Sequence, residues 1–307
     1  MILCCGEALI DMLPRLTADG EAAFAPHAGG AVFNTAIALG RLGTPAGFFS
    51  GLSTDFLGRQ IDETLTAARV DTRYCVRSDR PTTLAFVRLA DGHASYTFYD
   101  EGTAGRMVSM ADLPDLGDEI SALLFGAISL IPEPCGGAYE ALMARERRRR
   151  VVMFDPNIRP GFIKDRASHL ARMRRMLAMA DIVKLSEEDL AWFGEPGDTS
   201  AVVRAWLERG PKLVVVTRGG EGAVAFTRDH VVAAPARRVT GGGTVGAGDT
   251  VHPGRRAARH EAGRLSKTGI EQLDDAFLAS MLEFAGHAAA ITVSRAGANP
   301  PWRHELG

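Results

Sequence analysis

Four stretches decide the fold: Leu123-Leu124-Phe125-Gly126-Ala127-Ile128-Ser129-Leu130-Ile131, Val151-Val152-Met153-Phe154, Asp181-Ile182-Val183-Lys184-Leu185 and Leu213-Val214-Val215-Val216-Thr217. Each is an almost unbroken apolar run, whereas a strand with one wet face alternates. Between them, Ala138–Arg150, Ala167–Ala180 and Thr199–Glu208 carry helical patterns. Buried strands spaced by helices specify an α/β fold with a mostly parallel central sheet covered on both faces.

The same rhythm extends toward the N-terminus. Met1–Ile10 reads as one strand, followed by a turn-prone Pro14–Gly20. Gly30–Leu42 places Val32, Ala36 and Leu39 on one helical stripe closed by Gly43. Gly47–Leu52 reads as a strand and Leu57–Ala68 as a helix. One segment departs from the pattern. Thr82–Leu89 and Ala94–Tyr99 are strand-like and meet at Asp91-Gly92, a hairpin signal, so a small β flap is inserted into the α/β chain. No repeat or linker interrupts residues 1–307, which read as one domain.

Composition narrows the function. The 307 residues hold 37 acidic against 35 Lys plus Arg side chains, a net charge of −2 that argues against a nucleic-acid or membrane footprint. Arg145–Arg150 holds five arginines in six residues but has no interleaved aromatics, and reads as a solvated helix end. Cys4, Cys5, Cys75 and Cys135 form no metal-ligand spacing and read as reduced thiols of a cytoplasmic protein. The weakly polar run Ile120–Pro132 is too short to span a bilayer.

The sharpest chemical signal is Gly246-Ala247-Gly248-Asp249 at the start of an apparent helix. Small residues let backbone N–H groups converge there as an anion site. A carboxylate beside a phosphate makes chemical sense when it takes the proton of an attacking hydroxyl. The tetrapeptide alone equally suits a tight turn with a capping Asp. Gly241-x-Gly243-x-x-Gly246 matches a dinucleotide fingerprint formally but lacks the βαβ context, and no Walker motif is present. Earlier, Asp11 follows the first strand, and Gly29-Gly30 leads into a helix carrying Asn34, residue types that suit binding of a small polyhydroxylated molecule.

These segments and others fall in a recognisable order. Gly6-Glu7-Ala8-Leu9-Ile10-Asp11, Gly29-Gly30-x-x-x-Asn34, Asp155-Pro156-Asn157-x-Arg159, Lys184-Leu185-Ser186-x-x-Asp189, Thr217-Arg218-Gly219-Gly220-x-Gly222, Gly246–Asp249 and Ser294-Arg295-x-Gly297-Ala298 resemble the ribokinase-like (PfkB-type) carbohydrate kinases. The resemblance covers roughly Ile2 to Trp302. It implies a three-layer α/β/α sandwich with a small β lid, its strands within about 12–28 and 72–106, that in many relatives also makes a dimer contact.

It also implies ATP-dependent phosphorylation of a sugar hydroxymethyl group. Asp249 would be the general base, with the amides of Gly246, Ala247 and Gly248 stabilising the transferred phosphoryl group. Asp11, Gly29, Gly30 and Asn34 would hold the sugar, with Arg106 and Arg159 reaching substrate or phosphate. Lys184, Ser186, Thr217, Gly219 and Gly222 would line the nucleotide site, and Asp189 would organise Mg2+ through water. The opening motif and Pro301-Trp302-Arg303 most resemble bacterial fructokinases, which implies D-fructose as acceptor and fructose 6-phosphate as product. Two guanidinium groups also suit a sugar acid such as 2-keto-3-deoxygluconate, and ribokinase or nucleoside kinase activity are further alternatives.

Several residues depart from the family pattern. Gly243 stands where relatives carry an Asp near a monovalent cation, leaving only carbonyls around Thr292, Arg295 and Gly297 for K+. Pro253, Arg255, Arg256 and Arg259 follow Asp249 where relatives have a small apolar helix, and an interior proline costs about 3 kcal/mol. These departures motivate a different class of function, a sugar- or nucleotide-binding protein with impaired catalysis. Arg69 replaces a common glycine before Val70-Asp71, and Gly286-His287 alters the expected adenine contact.

Overall fold

The computed structural model describes residues 1–90, 93–237, 265–293 and 299–306. The first strands are β1 (Ile2–Cys5), β2 (Leu9–Leu16), β3 (Ala22–Gly29), β4 (Ala46–Phe49), β5 (Gly51–Ser53), β6 (Val70–Asp71) and β7 (Val76–Ser78). There follow β8 (Leu84–Ala90), β9 (His93–Tyr99), β10 (Ala122–Gly126), β11 (Val151–Asp155), β12 (Ile182–Ser186), β13 (Leu213–Thr217), β14 (Ala223–Phe226) and β15 (Val231–Ala234). The helices flanking them are α1 (Ala31–Arg41), α2 (Phe56–Ala67), α3 (Cys135–Glu146), α4 (Arg166–Leu177), α5 (Glu187–Trp192) and α6 (Thr199–Leu207). Two more helices follow, Lys267–Ile270 and Asp275–Val293.

Nine strands form the central sheet in the order β15-β14-β13-β12-β11-β10-β1-β4-β6. It is parallel from β6 to β13, and β14 and β15 run antiparallel at one edge. The apolar runs are its inner strands because both faces are dry. Leu3, Cys5, Phe125 and Phe154 point into a cluster with Tyr139 of α3, Met173 of α4 and Trp206 of α6. Their neighbours Ile2, Cys4, Leu124 and Met153 point the other way, toward Phe33 and Ile37 of α1, Ile61 of α2 and Leu282 of the Asp275–Val293 helix. Full burial of each such large side chain contributes about 1.5–3 kcal/mol. The four cysteines are free thiols. No helix among the described residues is long and apolar enough to cross a membrane.

The lid is a separate four-stranded sheet, β3-β2-β8-β9. β2 pairs antiparallel with β3 along its whole length but with β8 only over Ile10–Met12. This corrects two expectations. Met1–Ile10 is two strands, broken at Gly6-Glu7-Ala8, because β1 ends in the central sheet and β2 starts the lid. Pro14 lies inside β2 rather than in a turn, at a position where only β3 lies alongside, so its missing N–H leaves no ladder bond unmade. Gly47–Leu52 likewise divides between β4 of the central sheet and β5, which pairs with β7.

The arginine run is also corrected at its end. Arg150 is buried, pairing with Glu146 and donating to the carbonyls of Leu116, Gly117 and Ile120. A buried guanidinium persists because its donors are satisfied. Arg69 takes the left-handed conformation that glycine fills more readily (φ 64°). Its guanidinium lies 5.5 Å from the Trp302 ring, as does that of Arg41.

Candidate active site

The first predicted group of site residues begins where β1 ends. A Cβ on Gly6 would lie 2.6 Å from Val32, so only glycine lets the strand end meet α1. Glu7 then turns inward and caps α1 from outside the helix. Its Oε1 accepts from the amides of Ala31 (2.9 Å) and Val32 (3.3 Å), and its Oε2 accepts from the amide of Ser129 (3.3 Å). The N-cap residue itself, Gly30, has no side chain to do this and adopts φ 112°. Burial pushes the Glu7 carboxyl up to about 7 in spite of these hydrogen bonds. Glu7 stands inside the Gly6–Asp11 motif, yet the motif gave no sign that its carboxylate would be buried.

Asp11 rests against the next glycine. A Cβ on Gly29 would fall 2.2 Å from Asp11 Oδ2, so the carboxylate needs that position bare. Burial raises Asp11 to about 6. Asn34 lies in the first turn of α1, its amide donating to the Gly30 carbonyl at 2.8 Å. The predicted group Asp11, Gly29, Gly30 and Asn34 is thus brought to one helix N-terminus.

The lid adds aromatic residues that the sequence reading missed. Burial raises the Tyr96 hydroxyl above its ordinary value, the Asp11 charge adds to this, and Arg159 opposes it, so Tyr96 lies within electrostatic range of both. Phe98 meets Phe162 edge-on at 4.5 Å. The alternation of Tyr96 and Phe98 with Thr97 was a signal for two aromatics on one face. Arg159 is exposed and donates to the carbonyl of Ile158 (3.0 Å). Arg106 lines a cavity of about 540 Å3, shared with Glu7 and Ala8, where Asp100 pairs with it at 3.1 Å and the Glu133 carbonyl accepts from its Nε at 3.4 Å.

The second predicted group lies at the ends of β11, β12 and β13. Lys184 is buried and pairs with buried Asp155 at 2.9 Å, one strand away. Ser186 and Asp189 form a reciprocal capping box on α5: Ser186 Oγ accepts from the Asp189 amide and Asp189 Oδ2 from the Ser186 amide, each at 3.0 Å. Asp189 Oδ1 accepts from the Ile158 amide at 2.8 Å, tying this loop to the one carrying Arg159. With both oxygens occupied by amides, Asp189 suits contact with a hydrated cation through its remaining lone pairs. Thr217 closes β13, and Gly219 (φ 51°) and Gly222 (φ 103°) shape the turn after it. A Cβ on Gly222 would collide with the Ala234 carbonyl at 2.0 Å. Thr292 is buried and its hydroxyl donates to Ala288. Gly243, Gly246, Ala247, Gly248, Asp249, the Val251–Arg259 segment, Arg295 and Gly297 lie outside the described residues.

The family model for "pfkB family carbohydrate kinase" matches residues 1–305. The chain belongs to the pfkB carbohydrate kinases. Among family relatives, a fructokinase of Rhizobium leguminosarum bv. trifolii is 59% identical over 275 residues, covering 90% of this chain and 84% of that protein. A Klebsiella pneumoniae fructokinase is 34% identical over 98% of this chain and 96% of its own length. The fructokinase of Xylella fastidiosa with bound ATP superposes with a TM-score of 0.85 at 30% identity, covering 99% of this chain and 96% of that one. The Vibrio cholerae fructokinase in its fructose, ADP and calcium form gives 0.80 at 26% identity, covering 97% and 94%. The chain is a sugar kinase with the ribokinase-like α/β fold that the ordered motifs implied.

Proposed function

We propose that this kinase transfers the γ-phosphoryl group of ATP to the hydroxymethyl oxygen of D-fructose, giving fructose 6-phosphate. The observation that carries the reading is the seating of Asp11 against Gly29 beside the α1 N-terminus, in a chain 59% identical to a fructokinase. Asp11, Gly30 and Asn34 hold the sugar hydroxyls, and Arg159 reaches the substrate from the turn after β11. Asp249 accepts the proton of the attacking hydroxyl, while the amides of Gly246, Ala247 and Gly248 receive the charge on the phosphoryl oxygens. Ser186, Thr217, Gly219 and Gly222 border the nucleotide, and Lys184 fixes the loop floor through Asp155. Magnesium, when bound with the nucleotide, neutralises phosphate charge. Asp189 would hold that ion through water.

The chain works as one domain over residues 1–307, in the cytoplasm. The lid closes over the acceptor and pairs with the lid of a second copy. Its face turned away from Asp11, with Leu16, Phe24 and Tyr99 exposed, suits that contact. The pairing of Arg106 with Asp100 disfavours a sugar acid, since its charge is already matched.

A panel of D-fructose, 2-keto-3-deoxygluconate, D-ribose and adenosine, run with ATP and magnesium and with or without potassium, tests the assignment. Fructose is expected to lead, with little response to potassium because Gly243 removes the side-chain ligand. Sugar binding by calorimetry with negligible turnover would instead mark an impaired binding protein.

A further inference from the structure

β11 and β12 pair where Met153 and Phe154 lie beside Ile182 and Val183. The backbone ladder stops there, and side chains carry the connection onward. Lys184 reaches across to Asp155 at 2.9 Å. Further along, Asp189, the third residue of α5, accepts from the Ile158 amide at 2.8 Å with one oxygen and from the Ser186 amide at 3.0 Å with the other. Asp189 and Ile158 are both buried. A buried amide outside any ladder needs such a partner, and Asn157 just before it holds the left-handed conformation, φ 40°. The turn held in this way carries Arg159. Its next residues, Gly161 and Phe162, line the cavity shared with Glu7 and Ala8, and Phe162 meets Phe98 of the lid. One carboxylate thus ties the turn after β12 to the turn that walls the proposed acceptor side.

We propose that Asp189 is a positioning residue for the acceptor: its carboxylate sets the turn that carries Arg159 and Phe162 before any nucleotide or magnesium binds. This rests on the fructokinase reading and adds to the place of Asp189 near the ion. A hydrated cation draws on lone pairs left over from the amides, so both duties fall on one group. The bond to Ile158 is charge-assisted, a kind about twice as strong as a neutral one. Its loss leaves a buried amide unpaired and the turn able to shift, and a misplacement of about 1 Å in an oriented site is enough to cost about 100-fold in rate. Ser186 provides the contrast. Its hydroxyl accepts from the Asp189 amide within the capping box, so removing that hydroxyl leaves the Ile158 bond in place.

The test is calorimetric binding of D-fructose without ATP or magnesium, a readout that a role confined to nucleotide or cation does not move. Asp189→Ala removes both acceptor oxygens and is expected to weaken fructose binding about five-fold or more, whereas Ser186→Ala changes it by less than about two-fold. Fructose affinity within about two-fold of the unaltered chain in Asp189→Ala, or an equal loss in both variants, would overturn the positioning role. A second measurement needs no variant and serves if Asp189→Ala does not fold. In the ligand-free unaltered chain the Ile158 amide is expected to exchange with solvent as slowly as that of Phe154 in the sheet. Exchange as fast as that of exposed Gly161 would overturn the proposal. If the unaltered chain neither binds nor phosphorylates fructose, the functional reading fails instead, and the same comparison is made with the acceptor that leads the panel.

Discussion

The two halves of the site handle buried carboxylates in opposite ways. On the proposed nucleotide side, Asp155 has Lys184 at 2.9 Å and Asp189 has a backbone amide on each oxygen. On the proposed sugar side, buried Glu7 and half-buried Asp11 have no cation paired to them among the described residues, and burial lifts them to about 7 and about 6. One half is a fixed scaffold whose charges are matched. The other leaves carboxylates without a matching cation, which under the proposed function would accept sugar hydroxyls. Pre-organised but incompletely matched groups mark where a ligand completes the structure.

The largest effect follows from breaking the scaffold. Lys184→Met leaves Asp155 buried and unpaired, and removal of one partner of a buried pair costs about 3–5 kcal/mol; denaturant unfolding is expected to show that loss. On the sugar side, Asp11→Asn is expected to lower kcat/KM for fructose by about 10–150-fold, the worth of one charged hydrogen bond at about 1.5–3 kcal/mol, with melting temperature unchanged or raised. Because Asp11 is ionised only above about 6, kcat/KM of the unaltered chain rises with pH through that value, and Asp11→Asn removes this limb.

Glu7 sharpens the comparison through stability. Its folded value of about 7 lies above the ordinary 4.5, so the folded state holds the proton more tightly than the unfolded chain. Its contribution is therefore greatest below 4.5, falls as pH rises toward 7 and is flat beyond. Glu7→Gln retains one acceptor oxygen for α1 and is expected to flatten the decline of denaturation midpoint over that window. The smallest change is Ser186→Ala, which removes a capping acceptor from α5 and costs about 1 kcal/mol, with kcat/KM for ATP falling alongside.

The same contrast explains what the sequence made legible. The inner strands were readable because burial on both faces leaves an unbroken apolar signature, and β10 to β13 lie within or close to the runs that suggested them. The helix α1 was readable from its stripe and its closing Gly43. Chain path at the site was not, because Gly6-Glu7-Ala8 sits in an apolar run, and only tertiary contact with α1 and Ser129 reveals that the strand ends there. Arg150 misled for the same reason: a run of arginines looks solvated until the carbonyls of residues 116, 117 and 120 close around its last member. The ordered glycine motifs singled out Asp11, Gly30 and Ser186 as candidates, whereas Tyr96, Phe98 and Phe162 came together only through the folding of the lid onto the β11 turn.

The most direct test of the central claim is the rate of fructose 6-phosphate formation from D-fructose and ATP by the purified chain and by Asp249→Ala. The account predicts turnover by the unaltered chain and a loss of about 100–10,000-fold on removing the base. Equal rates in the two proteins would contradict it.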